Sequence, residues 1–109
     1  MIYQTFGGYF GRLHVYGWVD HAGDDLQAAF PEWAIGHEHI RQARCIVAAE
    51  SQAEAARLAG VKYARQLWNM SETGNVVEAG VALNQPKIIF WRPLDGYTQP
   101  YIPRQAQKC

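Results

Sequence analysis

A run of apolar residues near the middle of the chain most constrains its fold. It spans residues 43–50, ARCIVAAE, and places apolar side chains at both odd and even positions. Because successive side chains of a strand point to opposite faces, this run predicts a strand that is central in a sheet or covered on both sides. Residues 87–92 repeat the pattern and predict a second strand of the same kind.

The sequence predicts three helices between these strands, near residues 51–59, 62–69 and 76–83. Ser51 and Glu54 have the spacing of a capping box, in which each side chain accepts a backbone hydrogen bond from the other residue. Gly60 is placed to end the first helix in a left-handed conformation. Asn75 and Glu78 repeat the N-terminal signature before the third helix.

The order strand–helix–helix–helix–strand predicts an α/β (α+β) fold, a small sheet covered on one face by helices. Residues 1–42 are aromatic and glycine-rich in their first half, and LHVYGWV there has strand character, so this segment is expected to cover the other face. A bare face would instead favour a homodimer. The 109 residues predict a single domain, 1–109, with a core at 43–93 and an extended tail at 94–109.

Composition excludes a disordered chain and an overall polyanion or polycation. Apolar residues make up 49% of the chain and charged ones 18%, which is typical of a folded globule. The formal net charge is zero, but residues 1–40 carry a net −4 and residues 41–109 a net +4. We expect these two parts to neutralise each other within the fold, and no overall polycation is present to bind polyanions.

The two cysteines predict a reducing environment. Cys45 lies in the apolar run and should behave as a buried hydrophobe, whereas Cys109 is the last residue of the sequence. A disulfide between them is not expected, which fits the cytoplasm. No signal peptide, lipidation motif or membrane-spanning run is visible.

Residues 51–68, SQAEAARLAGVKYARQLW, partly match a helix-turn-helix. Ala56, Gly60 and Val61 occupy expected positions, but the next aliphatic position falls on Gln66, one residue before Leu67. The segment is therefore either a DNA-reading element or a helix pair packed on the sheet. The residues that would contact nucleic acid are Arg57, Lys62 and Arg65.

Catalytic and metal-binding signals are weak. His37 and His39 are two residues apart and could hold a divalent ion, but no cysteine lies near them and the HExxH spacing is absent. The chain has no GxSxG, P-loop or GxGxxG motif. We therefore predict a protein that is not an enzyme, with no cofactor and no metal.

The aromatic content indicates a binding surface. Four Trp, six Tyr and four Phe are more than the core of so short a chain is expected to hold. Exposed Trp and Tyr are enriched where proteins bind each other. The residues expected to anchor a partner protein are Trp33, Trp68, Trp91, Tyr97 and Tyr101.

Residues 44–95 carry IVAAESQAEAARLAGV, then SETGN before a further glutamate, then PKIIFWRPLDG. In this pattern the chain resembles small uncharacterised proteins of phages and other bacterial mobile genetic elements. The resemblance implies a compact α/β domain of mobile-element origin. It implies no activity and therefore assigns no catalytic residue.

Two hypotheses for function follow. The first is a non-enzymatic phage or mobile-element accessory protein that binds a host or defence-system protein, as an anti-CRISPR-like inhibitor or an adaptor. The alternative is a small helix-turn-helix-like DNA-binding regulator that uses residues 51–68.

Overall fold

A computed structural model describes residues 13–96 and 98–104. The strands are β1 His14–His21, β2 Gln42–Ala49, β3 Trp68–Glu72, β4 Phe90–Pro93 and β5 Ile102–Pro103. The helices are α1 Gly23–Ala29, α2 Pro31–Ala34, α3 Gln52–Leu58 and α4 Val76–Asn84, with a 3-10 turn at Ala64–Gln66. The strands form one antiparallel sheet in the order β3-β1-β2-β4-β5, which confirms the mixed α/β (α+β) class.

The apolar run at residues 43–50 is the central strand, as predicted. β2 lies between β1 and β4, and every residue from Cys45 to Ala49 is buried. Burial raises the pKa of the Cys45 thiol to about 12, so it stays protonated and behaves as a small apolar side chain. Cys109 lies outside the described residues.

Helices cover both faces of the sheet, so the prediction that they share one face is wrong. On one face α1, α2 and α3 pack around Trp18, Cys45 and Val47. On the other face α4 packs over Ile46 and Ala48. The physical reason lies in β2 itself, because a strand that is apolar on both sides needs cover on both sides.

The helix predicted near 62–69 is not formed. Gly60 adopts φ 86° and ends α3, after which the chain makes only a single 3-10 turn. The Oε1 atom of Gln66 closes this turn by accepting hydrogen bonds from the backbone N–H groups of Lys62 and Tyr63, at 3.1 and 2.8 Å. Pairing with β1 then makes the following residues a strand, since tertiary contacts override local helix propensity.

Two local predictions need smaller corrections. The strand expected at 87–92 begins only at Phe90, because Lys87 takes φ 71° in the turn after α4. Ser51 caps α3 as predicted, with Oγ 3.1 Å from the N of Glu54. The Glu54 carboxylate, however, accepts from the N–H of Glu50 at 2.8 Å and not from that of Ser51.

The flanking segments belong to the same sheet as the core. The strand expected in LHVYGWV is β1, whereas residues 1–12 lie outside the described part of the chain. The tail is not merely extended, because β5 pairs with β4 and Arg104 forms an ion pair with Asp20. That ion pair and the one between Arg41 and Asp24 join the acidic and basic parts of the chain.

Within the described residues, none of the helices combines the length and apolarity that crossing a membrane requires.

Leu26 of α1 is expected to be a main contributor to stability. Its side chain is fully buried, whereas Leu58 at the end of α3 is 37% exposed. Leu26→Ala should cost about 2–5 kcal/mol of unfolding free energy, because it leaves a cavity, and Leu58→Ala less than about 1 kcal/mol. Urea unfolding monitored by tryptophan fluorescence measures both. Equal losses would contradict the placement of α1 over the core.

Candidate binding surface

Helix α4 has its charge on the inside and apolar side chains on the outside. Its sequence, VVEAGVALN, contains one charged residue, Glu78, and that residue is only 6% exposed. Val76 and Val77, in contrast, are 82% and 67% exposed. A helix on a protein surface normally shows the opposite arrangement, with apolar residues inside and charges in water.

Four hydrogen bonds hold the Glu78 carboxylate in place. Arg44 of β2 donates two of them, from Nε to Oε2 at 2.9 Å and from Nη2 to Oε1 at 3.0 Å. Thr73 Oγ1 donates to Oε1 at 2.6 Å, and the hydroxyl of Tyr101 donates to Oε2. The network thus joins α4 to the central strand, to the loop after β3 and to the residue before β5.

The network is ionised at its centre. Burial by itself would raise the pKa of Glu78, but the hydrogen bonds from Arg44, Thr73 and Tyr101 lower it to about 2. Burial, together with the Glu78 carboxylate, raises the pKa of Tyr101 above its usual value, so the phenol keeps its proton. Glu78 and Arg44 therefore form a charged pair, and Tyr101 and Thr73 are neutral donors to it.

Local sequence places Glu78 for this role. The Asn75 side chain caps α4 by accepting the Glu78 N–H at 3.0 Å, and Thr73 Oγ1 accepts the Asn75 N–H at 3.1 Å. Gly17 of β1 leaves the space that the Arg44 guanidinium occupies, where a Cβ would overlap it. Since residues of a helix are 100° apart, holding Glu78 inward fixes the directions of Val76 and Val77.

Trp68 is exposed at the edge of the sheet. It begins β3, whose only strand partner in the described chain is β1, and its side chain is 57% exposed. The preceding residue, Leu67, is buried and its backbone is extended, so Trp68 points the other way. A β-bulge follows. Trp68 pairs with Val19 and Ser71 pairs with Gly17, so β3 has two residues between these pairs where β1 has one.

These three apolar residues, Trp68, Val76 and Val77, define what we call the β3–α4 surface. Val76 follows Trp68 by eight positions, so their Cα atoms are at most about 28 Å apart. A typical protein–protein interface buries about 800 Å² on each partner, which corresponds to a width of roughly 30 Å. The separation of these residues along the chain is therefore within the width of one such interface.

A group of cations precedes this surface along the chain. It consists of Arg57, together with Lys62 and Arg65 beside the ring of Tyr63, and we call it the basic turn. The Arg65 guanidinium lies 4.5 Å and the Lys62 ammonium 5.6 Å from the Tyr63 ring centre. Arg57 is largely exposed and lies 4.0 Å from the Glu54 carboxylate. Two of the bases predicted from the sequence, Lys62 and Arg65, thus flank an exposed ring, although no second helix carries them.

The five aromatic residues predicted as surface anchors differ in their exposure to solvent. Trp68 is exposed, and its role as an anchor stays a prediction. The exposure expected for Trp33 and Trp91 is wrong, because both rings are buried in the core. Tyr101 is half-buried with its hydroxyl bound to Glu78, and Tyr97 lies outside the described residues.

The buried tryptophans have specific neighbours that explain their position. Trp33 stacks on His37 with ring centres 4.8 Å apart, and its carbonyl oxygen lies 2.6 Å from Nδ1 of that histidine. Trp91 lies beside Phe30 and beneath the guanidinium of Arg104, 4.4 Å from the ring centre. In the part of the chain that the structure describes, neither His37 and His39 nor any other residues form a three-residue group suited to a metal ion.

Sequence reasoning missed the outward valines and the charged network. The capping pair Asn75 and Glu78 was recognised, but capping alone does not tell that the glutamate is also buried. A usable signal was present: apart from Glu78, the interior of α4 contains only apolar and small residues. A helix that is apolar nearly all round is normally covered on all sides.

Comparison of the chain with protein-family models, with curated proteins and with solved structures gave no match. The resemblance of residues 44–95 to proteins of mobile elements therefore stays a prediction.

Glu78 is expected to dominate the acid sensitivity of the fold. Its pKa falls from 4.5 to about 2 on folding, so its ionisation stabilises the native state fully above about pH 5 and progressively less as the pH falls toward 2. This contribution amounts to roughly 3 kcal/mol. Unfolding free energies from urea titrations between pH 3 and pH 7 measure it.

The matched variants are Glu78→Gln and Glu32→Gln, the latter at an exposed acid of α2. Glu78→Gln should be less stable at pH 7 by about 3–5 kcal/mol, because Arg44 is left without its counterion, and its stability should vary less with pH. Glu32→Gln should keep the wild-type profile. An unchanged profile in Glu78→Gln would show that the carboxylate is not held as described.

Proposed function

We propose that the protein is a non-enzymatic accessory protein that acts by binding another protein through the β3–α4 surface. The observation that carries this proposal is the orientation of α4, which has its one charge buried and two valines in water. We further propose that the protein comes from a phage or another mobile element and acts in the cytoplasm, as an inhibitor or adaptor of a host or defence-system protein. The resemblance of residues 44–95 supports this origin.

Apolar exposure of this kind favours a protein partner. Contiguous exposed apolar surface is uncommon on monomeric proteins and often marks a site of interaction. Trp68 supplies a large rigid ring, and tryptophan is among the residues that contribute most to binding energy at interfaces. Val76 and Val77 would add apolar area to the interface without any charge that must be desolvated.

The charges nearby specify the chemistry of the partner. Arg65 of the basic turn precedes Trp68 by three residues, so their Cα atoms are within about 10 Å. A partner that presents an apolar centre with carboxylates on one side would pair with both regions. Charge complementarity at the rim mainly accelerates association, whereas burial of the apolar centre slows dissociation.

Nucleic-acid binding is the second candidate, and the basic turn is the observation that favours it. Lys62 and Arg65 flank an exposed aromatic ring and Arg57 adds a largely exposed cation, a combination that also binds single-stranded nucleic acid by phosphate contacts and base stacking. Reading of a DNA groove by a recognition helix is not compatible with the single 3-10 turn that stands in place of the helix expected near 62–69.

Capture from lysate followed by reconstitution with the purified partner tests the proposal. The baits are wild type, Trp68→Ala, Val76→Ser/Val77→Ser and the control Ile35→Ser, which changes an equally exposed residue after α2. A partner that binds wild type and the control, and binds Trp68→Ala about 30-fold more weakly, would support it, since this loss equals roughly 2 kcal/mol. The affinities come from titration calorimetry with the purified pair.

Three results would overturn the proposal. Equal capture by all four baits would remove the β3–α4 surface as the site. Sedimentation that shows a dimer lost in Val76→Ser/Val77→Ser would make the occupant a second copy of the chain. Salt-sensitive binding of a single-stranded oligonucleotide, lost when Arg57, Lys62 and Arg65 become Glu but kept in Trp68→Ala, would establish the second candidate instead.

A further inference from the structure

A concave region lies where β1 ends and β2 begins. It is an open cleft of about 230 Å³. Its polar lining consists of His21 from β1, Gln42 from β2, His39 and Arg41 from the loop before β2, and Asp95 after β4. None of these residues belongs to the β3–α4 surface or to the Glu78 network, so the cleft is independent of the proposed function.

Most of these polar groups have no partner within the protein. In the described parts of the chain, the imidazole of His21, the amide of Gln42 and the carboxylate of Asp95 make no hydrogen bond or ion pair with another residue, and the imidazole of His39 interacts only electrostatically, with the Glu38 carboxylate. The residues that line this small cleft therefore include two imidazoles and an amide whose donor capacity water or a ligand can use.

Arg41 is the cationic member of the lining, and its position is fixed by the backbone. Its carbonyl oxygen accepts hydrogen bonds from the N–H groups of Ala22 and Gly23, at 2.9 and 3.2 Å. Gly23 adopts φ 43°, and an added Cβ there would overlap the Arg41 guanidinium, so the glycine leaves room for it. The guanidinium reaches Asp24 at 3.3 Å, but the Asp24 side chain is 94% exposed. Such an ion pair is weak and can be exchanged for another oxyanion.

We propose that this cleft binds a small oxyanion of the phosphate monoester class. A guanidinium, two imidazoles and an amide are the side chains that hydrogen-bond phosphate oxygens, and Arg can contact two oxygens at once. The volume is below that of pockets for drug-sized ligands, which suits a phosphate with a small organic group. Ile40 and Leu94 complete the lining and provide apolar contact for the carbon part.

Asp95 allows a specific test of the proposal. Its carboxylate lines the same cleft and has the same charge as the ligand, so it weakens binding of a free dianion. The carboxylate would instead favour a ligand whose hydroxyl group donates a hydrogen bond to it. Removal of this charge should strengthen binding of inorganic phosphate, which a purely structural role of Asp95 would not produce.

Titration with inorganic phosphate, followed by NMR of the backbone amides and histidine rings, tests the inference. Saturable shifts at His21, His39 and Gln42 at millimolar phosphate are expected. His21→Ala, His39→Ala and Arg41→Ala should each weaken binding about five- to tenfold, because each removes one donor. Asp95→Asn should strengthen it severalfold.

Two control variants distinguish phosphate binding at this cleft from general effects of substitution. His14→Ala removes an imidazole that is bound to Glu72 at 3.0 Å and should leave phosphate binding unchanged. Trp68→Ala should also leave it unchanged, so failure of this inference and failure of the proposed function can be told apart. The absence of saturable shifts, equal shifts with acetate, or binding that survives all three donor variants would overturn the proposal.

Discussion

The ion pair between Glu78 and Arg44 determines how the second face of the sheet is covered. Arg44 comes from the central strand and Glu78 from the first turn of α4, so the pair sets both the position and the rotation of that helix. Tyr101 donates to the same carboxylate and thereby attaches the segment before β5, a strand of only two residues. The outward direction of Val76 and Val77 follows from this one contact.

The pair serves orientation more than net stability. Desolvation of two charges offsets much of their attraction, and a well-packed apolar pair of the same volume is often as stable. An apolar residue at position 78 would, however, leave α4 with no feature that distinguishes its sides. The buried charge therefore selects one rotation among several apolar alternatives, and Gly17 makes it possible by leaving space for the guanidinium.

Short-range patterns in the sequence predicted the parts of the fold that depend on local physics. Apolar residues at both odd and even positions of 43–50 identified the central strand, and Ser51 identified the start of α3. The segment at 62–69 was not predictable in the same way, because the Gln66 side chain closes a short turn there and Trp68 then pairs with β1, which is distant in sequence. The candidate site was also predictable only in part. Exposure of Trp68 was expected from the sequence, but burial of Trp33, Trp91 and Glu78 depends on which helices cover which face of the sheet.

The most direct test of the account is the solvent exposure of the valine methyl groups in the wild-type protein. A soluble paramagnetic agent broadens NMR signals in proportion to their access to solvent. The account predicts strong broadening for Val76 and Val77 and almost none for Val47, which is fully buried. Val76 and Val77 methyl groups as protected as those of Val47 would show that α4 has another rotation, and the β3–α4 surface would then not exist.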